Sequence, residues 1–361
     1  MKVVIIGAGI AGLTLALFLE KYGIAVSIHE RALGTPGGGY AFLMHQDGLA
    51  VLEELAEGRG LALPGQVVQR FSLKRADGRD LQETGLGTWH CMKRAELTSF
   101  LSSLLRGPVR DGRIFSHFVY ENEKIVAAAF ENGELEYGDL FIGADGGASR
   151  VRTQTLGAID FQPGGVKELV GIAHHATIAQ AYKGVFSKFQ QQDRGLAFGM
   201  IPTSGEEVVW FIQYNPALAD LDNLQADTVR AFCFELLAGF PAVVHEVLRS
   251  NDFGKTYLWN TRDFDLLPAF HHQNVAVIGD AAHLALPFTS AGTTNALVDA
   301  QVLAGLLKAL PQVSQAEQAF TEFHRLRASD VTKHVAFGRR LRDTFLNPGA
   351  EQQDAVVVPL I

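Results

Sequence analysis

Apolar positions in this chain fall into short unbroken runs separated by stretches of helical spacing, the pattern of an α/β protein whose central strands are buried on both faces. Residues 3–6 are wholly apolar, residues 13–22 carry apolar side chains at helical intervals until Gly23, and residues 25–29 form a second strand ending at Glu30. Helical periodicity returns over 46–55. Residues 67–81 alternate apolar with polar around Gly78, which predicts a hairpin. Spacing at 97, 100, 101 and 104 predicts a helix opening near Arg94, and paired strands are expected over 114–120 and 125–130. An apolar strand then runs into Gly143-Ala144-Asp145-Gly146. From about 161 to 259 the texture changes to alternating strands with one helix expected over 226–248. The last apolar run begins at Val275 and stops at Gly279-Asp280. It leads through Pro287 into a helix starting near Thr294 and a second over 315–346, with an apolar VVVPLI tail.

Composition narrows the class. With 361 residues, 47% hydrophobic and 19% charged, the chain has the make-up of a large globular protein. A net charge of -8 without any dense Lys/Arg run argues against nucleic acid and anionic membranes as partners. No apolar run approaches the roughly 20 residues needed to span a bilayer, and the chain opens directly on a strand pattern, so no stable membrane anchor and a cytoplasmic location are expected. Cys91 and Cys233 lie far apart and no HExxH spacing occurs, so no metal is expected. The 24 Phe concentrate attention on the strand-rich middle, where an aromatic-lined cavity is expected alongside a Phe-rich core.

The candidate chemistry begins at Gly7-Ala8-Gly9-Ile10-Ala11-Gly12, a G-x-G-x-x-G turn between a strand and a helix. Gly7 permits the tight turn, Gly9 lets backbone approach a pyrophosphate, and Gly12 lets helix and strand pack closely. Glu30, 18 positions after Gly12 at the tip of the second strand, is the expected acceptor for two ribose hydroxyls and disfavours a 2′-phosphate, which points to NAD or FAD. The Gly-rich loop 35–40 is either near the ligand or solvated. Arg94 sits in the first turn of its helix, where a cation opposes the dipole; it is read as the partner of a ligand phosphate, which would resolve that conflict, or as a plain surface arginine. Arg152 is read as phosphate-directed or as a surface charge.

Three separated blocks, GAGIAG with Glu30, GADGGASRVR, and GDAAHLALPFTSAGTTNALVDA, resemble in their order and spacing the para-hydroxybenzoate hydroxylase-like family of FAD-dependent, single-component aromatic monooxygenases, over roughly residues 1–340. The resemblance implies an FAD-binding Rossmann-like domain of glutathione-reductase type (1–70, 94–160 and 265–346), an interleaved antiparallel substrate-binding sheet domain (71–93 and 161–264), C-terminal helices and a tail (347–361). It implies that Gly7, Gly9, Ala11, Gly12, Glu30 and Arg31 hold the ADP half of FAD, that Arg94 reaches the phosphates, and that Asp145 and Gly146 serve both FAD and NAD(P)H. It further places Gly279 and Asp280 at the ribityl or pyrophosphate region, and Pro287, Gly292, Thr293, Thr294 and Asn295 beside the flavin ring. The implied reaction is reduction by NADPH or NADH, formation of a flavin C4a-hydroperoxide with O2, and hydroxylation of a small, mostly apolar aromatic or polycyclic substrate by a monomer or homodimer. A reductase or cyclase of the geranylgeranyl reductase type and a non-catalytic FAD-binding protein are the alternatives. The W-x-W-x-I-P of flavin halogenases is absent. His45, Gln213, Tyr214, Pro287 and Ser290 are the candidate residues at the reacting end. Ser290 departs from the family pattern, which has glycine there.

Overall fold

The computed structural model describes residues 1–34, 41–191, 194–221 and 223–347. The loop 35–40 and the tail from 348 onward, both singled out in the sequence, lie outside these residues. The chain opens with strand β1 (Lys2–Ile6), helix α1 (Ile10–Lys21) and strand β2 (Ala25–His29), then β3 (Ala41–Met44), α2 (Gln46–Ala56), the long hairpin β4 (Gln66–Arg75) and β5 (Asp80–Lys93), and α3 (Arg94–Leu104). A short β6 (Val109–Arg110) precedes β7 (Phe115–Glu121), β8 (Lys124–Phe130) and β9 (Leu135–Tyr137), and β10 (Leu140–Gly143) leads into α4 (Arg150–Thr155). The middle of the chain supplies β11 (Gln162–His174), α5 (Ala176–Ala181), β12 (Val185–Gln191), β13 (Leu196–Pro202), β14 (Glu207–Tyr214), α6 (Ala226–Leu236), α7 (Ala242–Arg249) and β15 (Tyr257–Asp263). It closes with β16 (His271–His272), β17 (Val275–Val277), α8 (Gly292–Lys308) and α9 (Ala316–Leu346).

These strands form two main sheets. One is ordered β16-β17-β10-β1-β2-β6, parallel throughout except for the β16 edge. Its central strands β1 and β10 are buried on both faces, as unbroken apolar runs require, and α1 and α8 pack against each other in the same core. The other is an eight-stranded sheet ordered β15-β11-β14-β13-β12-β4-β5-β3. It departs from the antiparallel expectation at one pair, β4 with β12, which run parallel and are joined by no hairpin, more than 100 residues of chain lying between them. Strand β3 and the first residues of β4 belong to this sheet, although both lie before residue 71. The single helix expected over 226–248 is two: Pro241, which has no N–H to continue a helix, stands as the N-cap of α7 after a break at 237–240. Their apolar faces close one side of the large sheet, together with Trp210 and Tyr214.

Candidate active site

A cavity of about 270 Å³ lies between the two sheets, and its two ends differ in chemistry. At the first end, β1 enters a turn in which Gly7 takes φ +106°, and a Cβ on Gly12 would meet the Gly7 carbonyl oxygen at 2.0 Å. Only glycine satisfies both positions. A Cβ on Gly9, by contrast, would project into open space, with nothing within 4 Å. That space is a cradle that a side chain would fill. Helix α1 starts at its edge without a side-chain cap or an acidic residue in its first turn, and α8 starts in the same manner at Gly292. Gly9, Ile10 and Ala11 of the first and Gly292 and Thr293 of the second line the same cavity. Two uncapped positive helix ends facing one space favour an anionic group between them.

The side chains around this end complete the cradle. Glu30 accepts the Ala8 N–H at 2.9 Å with one carboxylate oxygen and the Ala32 N–H at 3.0 Å with the other, which fixes it beside the glycine turn with acceptor capacity to spare. Arg94, exposed at the first position of α3, reaches the cavity wall and makes no ion pair among the described residues. Asp280 lines the cavity close to Gly292. Burial raises its carboxyl above the usual carboxylate range, and the Arg94 guanidinium opposes that rise.

Asp145 does not reach the cavity. Its carboxylate is consumed by the Ser149 hydroxyl at 2.5 Å and the backbone N–H groups of Arg150 and Val151, so it caps the start of α4, while neighbouring Gly146 lines the wall. Arg152 is neither phosphate-directed nor on the surface. It is buried and donates to the carbonyls of Ala281 (2.9 Å) and Gly147 (2.8 Å), tying the second and third sequence blocks together.

Behind the 279–283 turn stands a network with no obvious trace in the sequence. Asp299 of α8, fully buried, accepts the Gly279 N–H (2.9 Å), meets His283 Nε2 at 2.5 Å and accepts from Arg327 Nε of α9 at 2.7 Å. Burial pushes the Asp299 carboxyl up, but His283 and Arg327 outweigh it and hold it at about 2. Arg327 also donates to Asn295 Oδ1 (2.9 Å), whose amide reaches His334 at 2.7 Å. Thr294 accepts the His45 N–H at 3.3 Å. The side chains of Thr294 and Asn295 therefore serve the scaffold rather than the cavity.

The other end of the cavity is one face of the eight-stranded sheet. Phe71, Val170, Phe186, Ile201, Val209, Phe211 and Trp259 line it, as expected for an aromatic chamber. Alternation along β14 decides between two candidates: Gln213 points into the cavity, whereas Tyr214 points into the core against Phe232, ring centroids 5.3 Å apart. His45 is also outside the lining. It stacks on Trp89 at 4.2 Å, and burial first, then His334, lowers its pKa to about 4, so it is neutral at physiological pH. Pro287 and Ser290 do line the cavity, and Ser290 adopts φ +53°, the left-handed conformation that glycine adopts freely.

Sequence reasoning missed two residues here, Glu168 and Lys188. Lys188 Nζ donates to Gln213 Oε1 at 3.0 Å, and Gln213 Nε2 donates to Glu168 Oε2 at 2.8 Å; all three are buried and line the cavity. Glu168 and Gln213 are directly paired across β11 and β14. Lys188 reaches over β13 because the residues there are small: Gly199 pairs with Lys188, and Ala197 pairs with Gln213. A Cβ on Gly199 would meet the Phe211 ring at 2.1 Å. Burial raises the Glu168 carboxyl to about 7, against the Gln213 hydrogen bond and the Lys188 charge, and burial lowers the Lys188 amine to about 8 against the Glu168 charge. The sequence offered little signal: Lys188 stands two places from Phe186 and Gln213 two places from Phe211, but Glu168 stands between Val166 and Val170.

An anion cradle and an aromatic sheet chamber thus meet in one cavity, and comparison with known proteins shows the class. The chain belongs to the FAD binding domain family, whose model matches residues 1–337. It is 27% identical to the 3-amino-4-hydroxybenzoate 2-monooxygenase of Streptomyces cremeus, over 96% of this chain and 88% of that protein. It is 26% identical to the FAD-dependent urate hydroxylase of Klebsiella pneumoniae, over 95% of this chain and 90% of that one. Among solved structures, Klebsiella pneumoniae HpxO in complex with FAD and uric acid superposes with a TM-score of 0.87 at 23% identity, covering 98% of this chain and 91% of that one. The 2,6-dihydroxypyridine-3-hydroxylase of Arthrobacter nicotinovorans does so with a TM-score of 0.82 at 19% identity, covering 97% and 95%. The chain is an FAD-dependent monooxygenase, and no helix of the described residues is long and apolar enough to cross a membrane.

Proposed function

We propose that this enzyme uses NAD(P)H and O2 to hydroxylate a small aromatic ring held in the sheet chamber, with FAD lying from the 7–12 turn to the 287–293 loop. The observation that carries the reading is the meeting of two uncapped helix N-termini with an aromatic chamber in one cavity. Gly9, Ala11, Arg94, Gly292 and Thr293 would hold the pyrophosphate region, with Asp280 beside them and Glu30 on the ribose. Bound there and reduced by NAD(P)H, FAD would supply the electrons that activate O2. The chain's own part is to bind the ring against Phe186, Val209 and Phe211, to orient it by the polar atoms of Gln213 and its neighbours, and to keep water out by the apolar wall. In this reading the two sheets correspond to the cofactor and substrate domains, with β3 and residues 66–70 assigned to the substrate side. The enzyme is cytoplasmic and acts as a monomer or homodimer.

The test is direct. Purified protein should be yellow or take up FAD, and a panel of hydroxylated aromatics should stimulate both NAD(P)H oxidation and oxygen uptake at an electrode. NAD(P)H-linked reduction of a ligand without oxygen uptake would instead support the reductase or cyclase alternative. FAD binding with neither would leave a non-catalytic carrier.

A further inference from the structure

The Lys188–Gln213–Glu168 chain has more hydrogen-bonding capacity than it uses. Lys188 has three donors and spends one on Gln213, and Glu168 engages one oxygen of two. Lys188 and Glu168 are 5% and 8% exposed, so the unused capacity faces the cavity rather than bulk water. Phe288 and Phe345 flank the ammonium at 5.9 and 5.5 Å, leaving Glu168 as its buried counter-charge, bridged by Gln213 rather than in contact. Among the described residues, the titratable groups bearing on Glu168 and Lys188 are each other.

The sheet end of the cavity holds one buried cation and one buried anion and is electrically balanced, and a ligand that adds a second negative charge there breaks the balance. Given the reading of the sheet face as the substrate chamber, we infer that Lys188 is the specificity-determining anchor for an anionic oxygen on an aromatic ring, and that Glu168 takes up a proton when that anion binds. The ligand anion replaces Glu168 as the counter-charge of Lys188, and Gln213 stays bonded to both. When the ligand arrives as a permanent anion such as a carboxylate, the proton comes from solution and no bond in the ligand breaks. When it arrives as a neutral phenol, its O–H bond breaks, the electron pair stays on oxygen, and the proton passes to Glu168 without net exchange with solvent. The poise of Glu168 at about 7 suits it to change state at this modest provocation.

Calorimetry on the FAD-loaded, oxidised enzyme tests this without turnover, using benzoate and its neutral isostere benzamide in two buffers of different ionisation enthalpy. At about pH 7.5, between the two groups' values, wild type should take up roughly one proton per benzoate and none per benzamide, and should bind benzoate at least about tenfold more tightly. Glu168→Gln should keep benzoate binding and shift the proton uptake to lower pH, because Lys188, without the Glu168 charge that raises its amine, then becomes the group that titrates. Lys188→Met should remove the preference for benzoate. Should Lys188→Met fail to fold, the wild-type proton count and the Glu168→Gln response decide the matter alone. Benzoate binding without proton uptake, equal affinity for benzamide, or no benzoate binding at all would each overturn the inference. The oxygenase reading stands or falls separately, on oxygen uptake with NAD(P)H: proton-coupled benzoate binding without any hydroxylation would sink that reading and leave this one intact.

Discussion

The two ends of the cavity are built by opposite strategies. The cofactor end is assembled from contiguous motifs whose chemistry is mostly backbone: glycines that clear space, helix ends that offer N–H groups, and one carboxylate pinned by the N–H groups of Ala8 and Ala32. The proposed substrate end draws its polar side chains from three strands, β11, β12 and β14, which meet only through sheet register. Backbone recognition suits an invariant ligand. A side-chain site can be retuned by one substitution without disturbing the sheet that carries it. The same difference predicts that mutations at the cofactor end fail through folding and cofactor retention, and those at the substrate end through charge and selectivity.

The largest effect is expected where the cofactor end leans on buried charge. Replacing Asp299 by Ala strips His283 and Arg327 of their shared partner and frees the Gly279 N–H, which should destabilise the fold by about 3–5 kcal/mol in urea unfolding, with loss of flavin absorbance. In wild type, the depressed Asp299 carboxyl contributes stability that is fully present above its unfolded pKa of about 4 and is lost as pH falls through about 2. The Ala variant should lack that acid limb.

Next come the glycines, which sharpen the contrast between space inside the fold and space for the ligand. Gly12→Ala drives a Cβ onto the Gly7 carbonyl and should cost about 3 kcal/mol or more. Gly9→Ala meets nothing and should leave the cofactor-free protein within about 1 kcal/mol of wild type, yet lower the flavin-to-protein absorbance ratio. Equal FAD retention by Gly9→Ala and wild type would remove the cradle from this position.

The substrate end should show its nature in the pH dependence of stability. Because the folded Glu168 pKa is raised to about 7, the unfolded chain ionises first, and stability should fall as pH rises from about 4.5 through about 7. Glu168→Gln should flatten that slope by about 1–3 kcal/mol across the window, the range allowing for the coupling to Lys188. An unchanged slope in the variant would assign the fall to other groups.

The same contrast decides which parts of the site are legible in the sequence. The turn at 7–12, Glu30, Arg94 and the 279–293 loop were legible because their meaning lies in local spacing: a strand, a few residues and a helix start. The parity of a strand is equally local, yet the sequence alone left Gln213 and Tyr214 equivalent, since their same-face neighbours along the strand, Phe211 and Ile212, are both apolar. Glu168 and Lys188 stayed hidden because their partnership depends on which strands are neighbours and on Ala197 and Gly199 being small between them. Asn295 misled for a related reason. Its place on α8 was read well, but Arg327, 32 positions later, claims its side chain. The break between α6 and α7, by contrast, is local, set by Pro241 at the N-cap of α7.

Ser290 sits where the two strategies meet, in the loop between the aromatic chamber and the N-terminus of α8, and its expected effect is the smallest and the most particular. Its φ of +53° and ψ of +18° cost an L-residue about 1–2 kcal/mol, which glycine would not incur. Glycine instead loses about 0.5–1 kcal/mol more backbone entropy on folding. Ser290→Gly should therefore stabilise the protein by about 1 kcal/mol or less, a shift of a few degrees at most in thermal unfolding. Ser290 lines the cavity wall, so a gain that offsets this cost would come from its hydroxymethyl group narrowing the space between the chamber and the loop. Its removal should lower the ratio of hydroxylated product to NAD(P)H consumed and raise hydrogen peroxide, as water gains access to the reacting end. The two readouts separate the two explanations: stabilisation with unchanged coupling makes Ser290 a tolerated strain, whereas altered coupling makes it part of the wall that keeps the chamber dry.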